Sequence, residues 1–264
     1  MALIQLEGKQ VHYTTGGKAW TAGHPVVVFL HGAAQNQSVW VMQSRALAHG
    51  GWNVASFDLP GHGQSENLPA ITTVGDYAAW LAKALTTIGV EQATVVGHSM
   101  GGCIAVQFAV DFPERVSSLI LLGMNPTMPV NDFLLTNSLE NPMAASRFIA
   151  VYGLDQRQLI GGAPNPGNWL AGQMIALNQA CAPEVYHRDF SACNNWDGSD
   201  LVKKITVKTL VISGARDRMT PARKAGEMAG DLPQGQFLSI PGAGHGVMSE
   251  APRQTLAAMR KFLA

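Results

Sequence analysis

Two short stretches of alternating polar and apolar residues open the chain, Ala2 to Glu7 and Gln10 to Thr15, separated by Gly8-Lys9. A period of two broken by a glycine turn predicts an antiparallel hairpin. Six further runs read as strands: Val26 to Leu30, Val54 to Asp58, Thr94 to Gly97, Ser118 to Leu122, Thr209 to Ser213 and Gln236 to Ile240. The inner ones are continuously apolar, as strands covered on both faces of a mainly parallel sheet should be. Between them the period changes. Over Thr73 to Ile88, the residues Tyr77, Trp80, Leu81, Ala84, Leu85 and Ile88 recur at i, i+3, i+4, i+7, i+8 and i+11, which places them on one face of a helix that packs into the core. A second helix follows Ser99 and closes near Pro113, and a last one runs from about Ala251 to Leu263. Strand and helix in alternation predict an α/β domain with helices on both faces of the sheet.

One segment breaks the rhythm. From Met124 to Asp200 there is no strand pattern, only helix-like stretches divided by Pro126, Pro129, Pro142, Gly161-Gly162, Pro164, Pro166 and Pro183. Such a length far exceeds the ~12 to 15 residues of a long loop, so it should fold as an insertion with short helices of its own. The expected division is a core of residues 1–123 and 201–264 and a helical insertion of residues 124–200.

Composition narrows the classes of function. A chain of 264 residues can bury a full core as one large domain with an insertion. Its formal net charge is zero and no block of like charges occurs, which argues against a nucleic-acid groove or a polybasic membrane patch. The segment Met1 to Lys9 has no basic region ahead of a long apolar one, and no run approaches the ~20 apolar residues that span a bilayer. The expectation is a cytoplasmic protein that begins near Met1, with a small molecule as partner and neither nucleic acid nor membrane. Oligomeric state leaves no mark in the sequence. Cys103, Cys181 and Cys193 are odd in number and without C-x-x-C spacing, so neither a disulfide framework nor a zinc cluster is indicated. Cys181 and Cys193 are expected to stay reduced, and Cys103 to pack in the helix after Ser99.

The chemistry lies in the turns. Gly97-His98-Ser99-Met100-Gly101 joins the strand Ala93 to Val96 to a helix of small residues, Gly102-Cys103-Ile104-Ala105. In that setting G-x-S-x-G puts the serine at the apex of a sharp turn, where the glycines let neighbouring backbones approach. A serine hydroxyl needs a base, and the base needs a third group to orient it. Of eight histidines, His31, His62 and His98 sit in glycine-rich turns at other strand ends, His12, His24 and His49 in hairpin or surface contexts, and His187 in the insertion. His245, in Pro241-Gly242-Ala243-Gly244-His245-Gly246, follows the last strand and can reach the sheet edge at which Ser99 stands. Asp217, in Gly214 to Pro221, follows the strand before it and arrives at the same edge. The alternative for Asp217 is a turn cap or an ion pair with Arg216 or Arg218. Two inward amides are needed for an oxyanion; Met100 offers one and the loop His31-Gly32-Ala33-Ala34 offers another through Ala33.

His31-Gly32, Asp58-Leu59-Pro60-Gly61-His62-Gly63-Gln64-Ser65, Gly97 to Gly102, Gly214 to Pro221 and Gly242 to His245 together resemble the α/β-hydrolase family over essentially the whole chain outside the insertion. The order Ser, Asp, His matches that family. The resemblance implies an eight-stranded, mostly parallel sheet, a helical cap from about Met124 to Asp200, a pocket between cap and core, and structural roles for Asp58 and His62 beside the pocket. Some members carry the acid after the sixth strand; Gly123-Met124-Asn125 has no carboxylate there, which favours Asp217. Serine at 99 argues against relatives with a carboxylate nucleophile. Carbon-carbon bond hydrolases of aromatic-degradation pathways usually have Trp after the catalytic His and a cap Arg, whereas Gly246 follows His245 and Arg147, Arg157 and Arg188 are unplaced. Perhydrolases usually have an aromatic residue where Ala33 stands. The leading expectation is hydrolysis of carboxylic esters of small apolar or aromatic compounds by Ser99, His245 and Asp217, with no metal and no organic cofactor. The cap aromatics Phe133, Phe148, Tyr152, Trp169, Tyr186, Phe190 and Trp196 would suit such a substrate, although most of them are expected in the cap's own core. A ligand receptor that keeps the three residues without turnover is the non-enzymatic alternative.

Overall fold

The computed structural model describes residues 2–162 and 168–264; Pro164 and Pro166, invoked above as breaks, lie outside them, as does Met1. Eight strands form one sheet in the order β1-β2-β4-β3-β5-β6-β7-β8. These are β1 Ala2–Leu6, β2 Lys9–Thr14, β3 Val26–Leu30, β4 Asn53–Phe57, β5 Ala93–His98, β6 Val116–Leu122, β7 Thr209–Gly214 and β8 Gly235–Ile240. The hairpin pair and its junction with β4 are antiparallel, and every later pairing is parallel.

The continuous apolar runs divide between two faces. In β3, Val28 and Leu30 join one core cluster with Leu81, Leu85 and Phe108, while Val27 and Phe29 join another with Trp40, Ile120 and Met259. Alternation of side chains along a pleated strand sends successive residues to opposite faces, so a doubly covered strand needs both sets apolar. Helices α2 (Val74–Thr87) and α3 (Met100–Asp111) pack together on the first face. The start of α2 is fixed by a capping box in which Thr73 Oγ1 accepts from the Asp76 amide at 3.1 Å and Asp76 Oδ2 accepts from the Thr73 amide at 2.8 Å. On the second face lie α1 (Val41–Ala48) and the C-terminal helix, Pro252–Leu263. Periodicity does not single out α1, because it buries Gln43 and Ser44 and exposes Val41 and Met42. Gln43 Nε2 is satisfied by the Met248 carbonyl at 2.8 Å.

Between β6 and β7, among the described residues, stand five α-helices: α4 (Asp132–Glu140), α5 (Pro142–Gly153), α6 (Gln156–Leu159), α7 (Leu170–Gln179) and α8 (Pro183–Asn194). Ala145, Ile149, Met174 and Tyr186 belong to a third apolar cluster within them. The two ends of this segment meet where Thr127 bridges Asp197 and the Gly198 amide donates to the Pro126 carbonyl at 2.7 Å. Among the described residues no helix is long and apolar enough to cross a membrane.

Candidate active site

Ser99 sits between β5 and α3 with φ 53° and ψ −118°. A non-glycine residue in such a conformation stores about 1 to 3 kcal/mol of strain and persists only where its surroundings fix it. Its amide donates to the Leu122 carbonyl at 2.9 Å, and its own carbonyl accepts from the Gly102 amide at 2.8 Å. The flanking glycines are sterically required. A Cβ on Gly97 would lie 2.1 Å from the Gly101 carbonyl oxygen, and one on Gly101 would lie 2.3 Å from that of Leu30.

His245 and Asp217 arrive from the loops after β8 and β7. His245 Nδ1 lies 2.9 Å from Asp217 Oδ2. Asp217 accepts further hydrogen bonds from the Met219 and Thr220 amides at 2.9 and 2.8 Å and from Thr220 Oγ1 at 2.6 Å. Burial raises the pKa of this carboxyl, but the His245 charge and these donors outweigh it and hold Asp217 below its ordinary value. For His245 burial works downward and is overcome by Asp217, so the imidazole is raised above its usual 6.5. The neighbouring arginines are engaged elsewhere, Arg216 with Asp155 Oδ2 at 2.7 Å and Arg218 with the Val151 carbonyl. Asp217 therefore points to His245 and to neither arginine.

His98 supports this loop from beneath. Its Nε2 lies 3.0 Å from the His245 carbonyl, and burial, then His245, lower its pKa to about 3, so it donates as a neutral ring. His31 is likewise neutral: burial and the nearby His62 charge lower it to about 4. Its Nδ1–H then donates to the Gly32 carbonyl at 2.8 Å while its Nε2 accepts from the Leu59 amide at 3.0 Å. Gly32 O also accepts from the Gln35 amide at 3.2 Å. Because C=O and N–H of a trans peptide point oppositely, pinning this oxygen fixes the direction of the Ala33 N–H. Among the described residues the amides of Ala33 and Met100 have no hydrogen-bond acceptor.

Ser99, His245 and Ala33 line one cavity of about 330 Å³. Met100 is fully buried at the first position of α3, where a helix leaves its amides unpaired. Of the seven insertion aromatics, Phe148, Tyr152 and Phe190 line this cavity. Tyr186 and Trp196 are buried, and Trp169 is exposed. None of Arg147, Arg157 and Arg188 lines it; Arg218 and Lys224, from the core, do. Cys193 is in the wall too, but its thiol faces that of Cys103, and this contact with burial pushes its pKa well up. It is no nucleophile at neutral pH. Asp58 has a structural role: its carboxylate accepts from the Gln37 and Gln64 amides at 2.8 and 3.0 Å and meets buried His12 Nδ1 at 2.7 Å. A second cavity, about 310 Å³, lies beyond Gly246 and is lined by neither Ser99 nor His245.

Sequence reasoning missed Asp189. It lies in α8 without any surrounding motif, and only the folded chain brings it to the Ala33-Ala34 loop.

Comparison with known proteins agrees with this architecture. Residues 25–153 match the family model described as alpha/beta hydrolase fold, and residues 173–264 match one described as TAP-like protein. Over 118 residues the chain is 40% identical to a 2-hydroxy-6-oxononadienedioate/2-hydroxy-6-oxononatrienedioate hydrolase of Paraburkholderia phymatum, covering 43% of this chain and 40% of that protein. The enol-lactonase from Burkholderia xenovorans superposes with a TM-score of 0.90 at 20% identity, over 99% of each chain. A thermophilic esterase from Thermogutta terrifontis superposes with a TM-score of 0.84 at 24% identity, over 100% of this chain and 98% of that one.

Proposed function

Given that the chain belongs to the α/β-hydrolase family, we propose that it is a serine hydrolase acting on carboxylic esters of small apolar or aromatic compounds, with residues 124–200 as its cap. The observation that carries this reading is the meeting of Ser99 and His245 on one cavity wall, with Asp217 held on the far nitrogen of His245. In the proposed cycle Ser99 Oγ attacks the ester carbonyl carbon while His245 Nε2 takes its proton, and Asp217 stabilises the imidazolium. The carbonyl π electrons move to oxygen, which the Ala33 and Met100 amides receive. Collapse of that intermediate breaks the carbon-oxygen bond to the leaving alcohol, protonated by His245, and leaves an acyl-Ser99. Water, deprotonated by His245, attacks the acyl carbon and releases the carboxylic acid, restoring the serine.

The apolar wall of Met128, Leu134, Phe148, Phe190 and Met219 supports an apolar acyl group. The relationship to a carbon-carbon bond hydrolase favours a second reading, in which water cleaves a ring-cleavage product in the same cavity. Against it, none of the insertion arginines named above lines the cavity. One experiment separates the readings. The folded protein is treated with a fluorophosphonate and digested for mass spectrometry, and turnover is followed on p-nitrophenyl esters alongside a ring-cleavage product. An adduct on Ser99 with ester turnover is expected. No adduct would overturn the serine hydrolase, and turnover of the ring-cleavage product alone would replace the ester reading.

A further inference from the structure

Resting on the serine hydrolase reading, we propose that Asp189 of α8 is a positioning residue that holds the Ala33 oxyanion donor in place, so that this donor is formed only when the insertion is docked on the core. Asp189 Oδ2 accepts the Ala34 amide at 3.0 Å and lies 2.8 Å from His62 Nε2, while Oδ1 accepts from Tyr77 Oη at 2.8 Å. The carboxylate is fully buried, as is Ala34. Ala34 also has φ 55°, a left-handed conformation that costs a non-glycine residue free energy unless something imposes it. The chain thus turns unfavourably one residue after the oxyanion donor, and the group that receives the amide of that turn belongs to the insertion, 155 positions away.

The two peptides around Ala33 are therefore held from opposite sides. His31 and the Gln35 amide fix the Gly32 carbonyl from the core, and Asp189 fixes the Ala34 amide from the insertion. His62 connects the two, since its ring meets that of His31 at 4.8 Å in an edge-to-face contact and donates to Asp189. A hydrogen bond from a backbone amide to an ionised carboxylate is about twice as strong as a neutral one, which suits a group that must restrain a strained turn. Arg188, next in sequence, docks the same helix without touching the loop: it donates to the Pro60 carbonyl at 2.6 Å, Asn67 Oδ1 at 2.7 Å and Tyr77 Oη at 2.8 Å.

Asp189→Asn and Tyr77→Phe, measured side by side, separate positioning from general support. Both alter a buried hydrogen bond of Asp189, but only the first changes the acceptor of the Ala34 amide, from an ionised carboxylate to a neutral and weaker carboxamide oxygen. For Asp189→Asn, kcat on a p-nitrophenyl ester should fall about 10- to 100-fold per site titrated with fluorophosphonate, less than the ~100- to 1,000-fold of losing a donor outright. KM should stay within about threefold, and the Ki of a boronic acid that mimics the tetrahedral intermediate should rise with the loss in kcat/KM. Tyr77→Phe should lower Tm while kcat per titrated site stays near that of the parent. Equal kcat in both variants, or a fall in Tm alone for Asp189→Asn, would overturn the proposal. If Asp189→Asn does not fold, Asp189→Ser carries the same expectation. Hydrogen exchange in the unsubstituted protein tests the clamp without any variant. The Ala34 amide should exchange as slowly as core strand amides, and exchange at the rate of an open loop would refute the clamp. That readout needs no turnover, so failure of the clamp and failure of the hydrolase reading are separately visible.

Discussion

At the scale of single residues, the proposed chemistry depends on three side chains acting as a unit. Ser99→Ala and His245→Ala should each lower ester turnover by several orders of magnitude with Tm nearly unchanged. Parent-rate hydrolysis of p-nitrophenyl acetate by the serine variant would show that the nucleophile is elsewhere. Asp217→Asn should cost a comparable or smaller factor, since the amide favours the wrong histidine tautomer. Protonation sets a pH limit. His245 must be neutral to take the serine proton, and its pKa is raised by Asp217 against the opposing effect of burial. The acidic limb of kcat/KM should therefore have its midpoint above 6.5, and a midpoint below 6 would contradict the assignment. His62 makes a second, structural prediction. Burial alone would lower its pKa, but Asp189 raises it to about 10, with the Cys181 thiol also facing the ring. A raised pKa stabilises the fold fully below 6.5, and the contribution is lost as pH rises from there through about 10. Urea midpoints measured between pH 6 and 10 should fall more steeply for the parent than for Asp189→Asn.

At the scale of elements, the turn between β5 and α3 and the cap of α2 make contrasting demands. Gly97→Ala would force a Cβ to within 2.1 Å of the Gly101 carbonyl oxygen, so the turn cannot close as it stands. Loss of fluorophosphonate labelling and a large drop in Tm are expected, and labelling at the parent rate would contradict the geometry. Thr73→Ala removes one side of a capping box remote from the cavity and should cost about 1 kcal/mol in urea denaturation, with kcat unchanged. The turn and the helix were legible because each writes a local rule into nearby residues: small residues where backbones cross, and an apolar residue at every third or fourth position from Tyr77 to Ile88. The helix α1 was not legible. Its inward face carries Gln43 and Ser44, and the acceptor of Gln43 Nε2, the Met248 carbonyl, lies 205 positions along the chain.

At the scale of the molecule, the proposed specificity rests on the cavity that the helices between β6 and β7 share with the sheet edge. A cavity of about 330 Å³ with Phe148 and Phe190 in its wall should favour apolar acyl groups. Phe148→Ala should shift the preference in kcat/KM across a series of p-nitrophenyl esters toward bulkier acyl chains; an unchanged series would place acyl binding elsewhere. The sequence by itself determined the alternation of strand and helix, the insertion between the strand ending at Leu122 and the one beginning at Thr209, and the candidates Ser99, Asp217 and His245. Periodicity, glycine turns and strand ends are local properties, and the parallel sheet gathers strand ends along one edge. Only the tertiary structure decided which of the seven insertion aromatics face the cavity, that Arg188 is turned toward Pro60 and Tyr77, and that Asp189 meets Ala34. Those outcomes depend on how helices without a strong common period pack on one another, and a contact across 155 positions leaves no spacing in the chain to read.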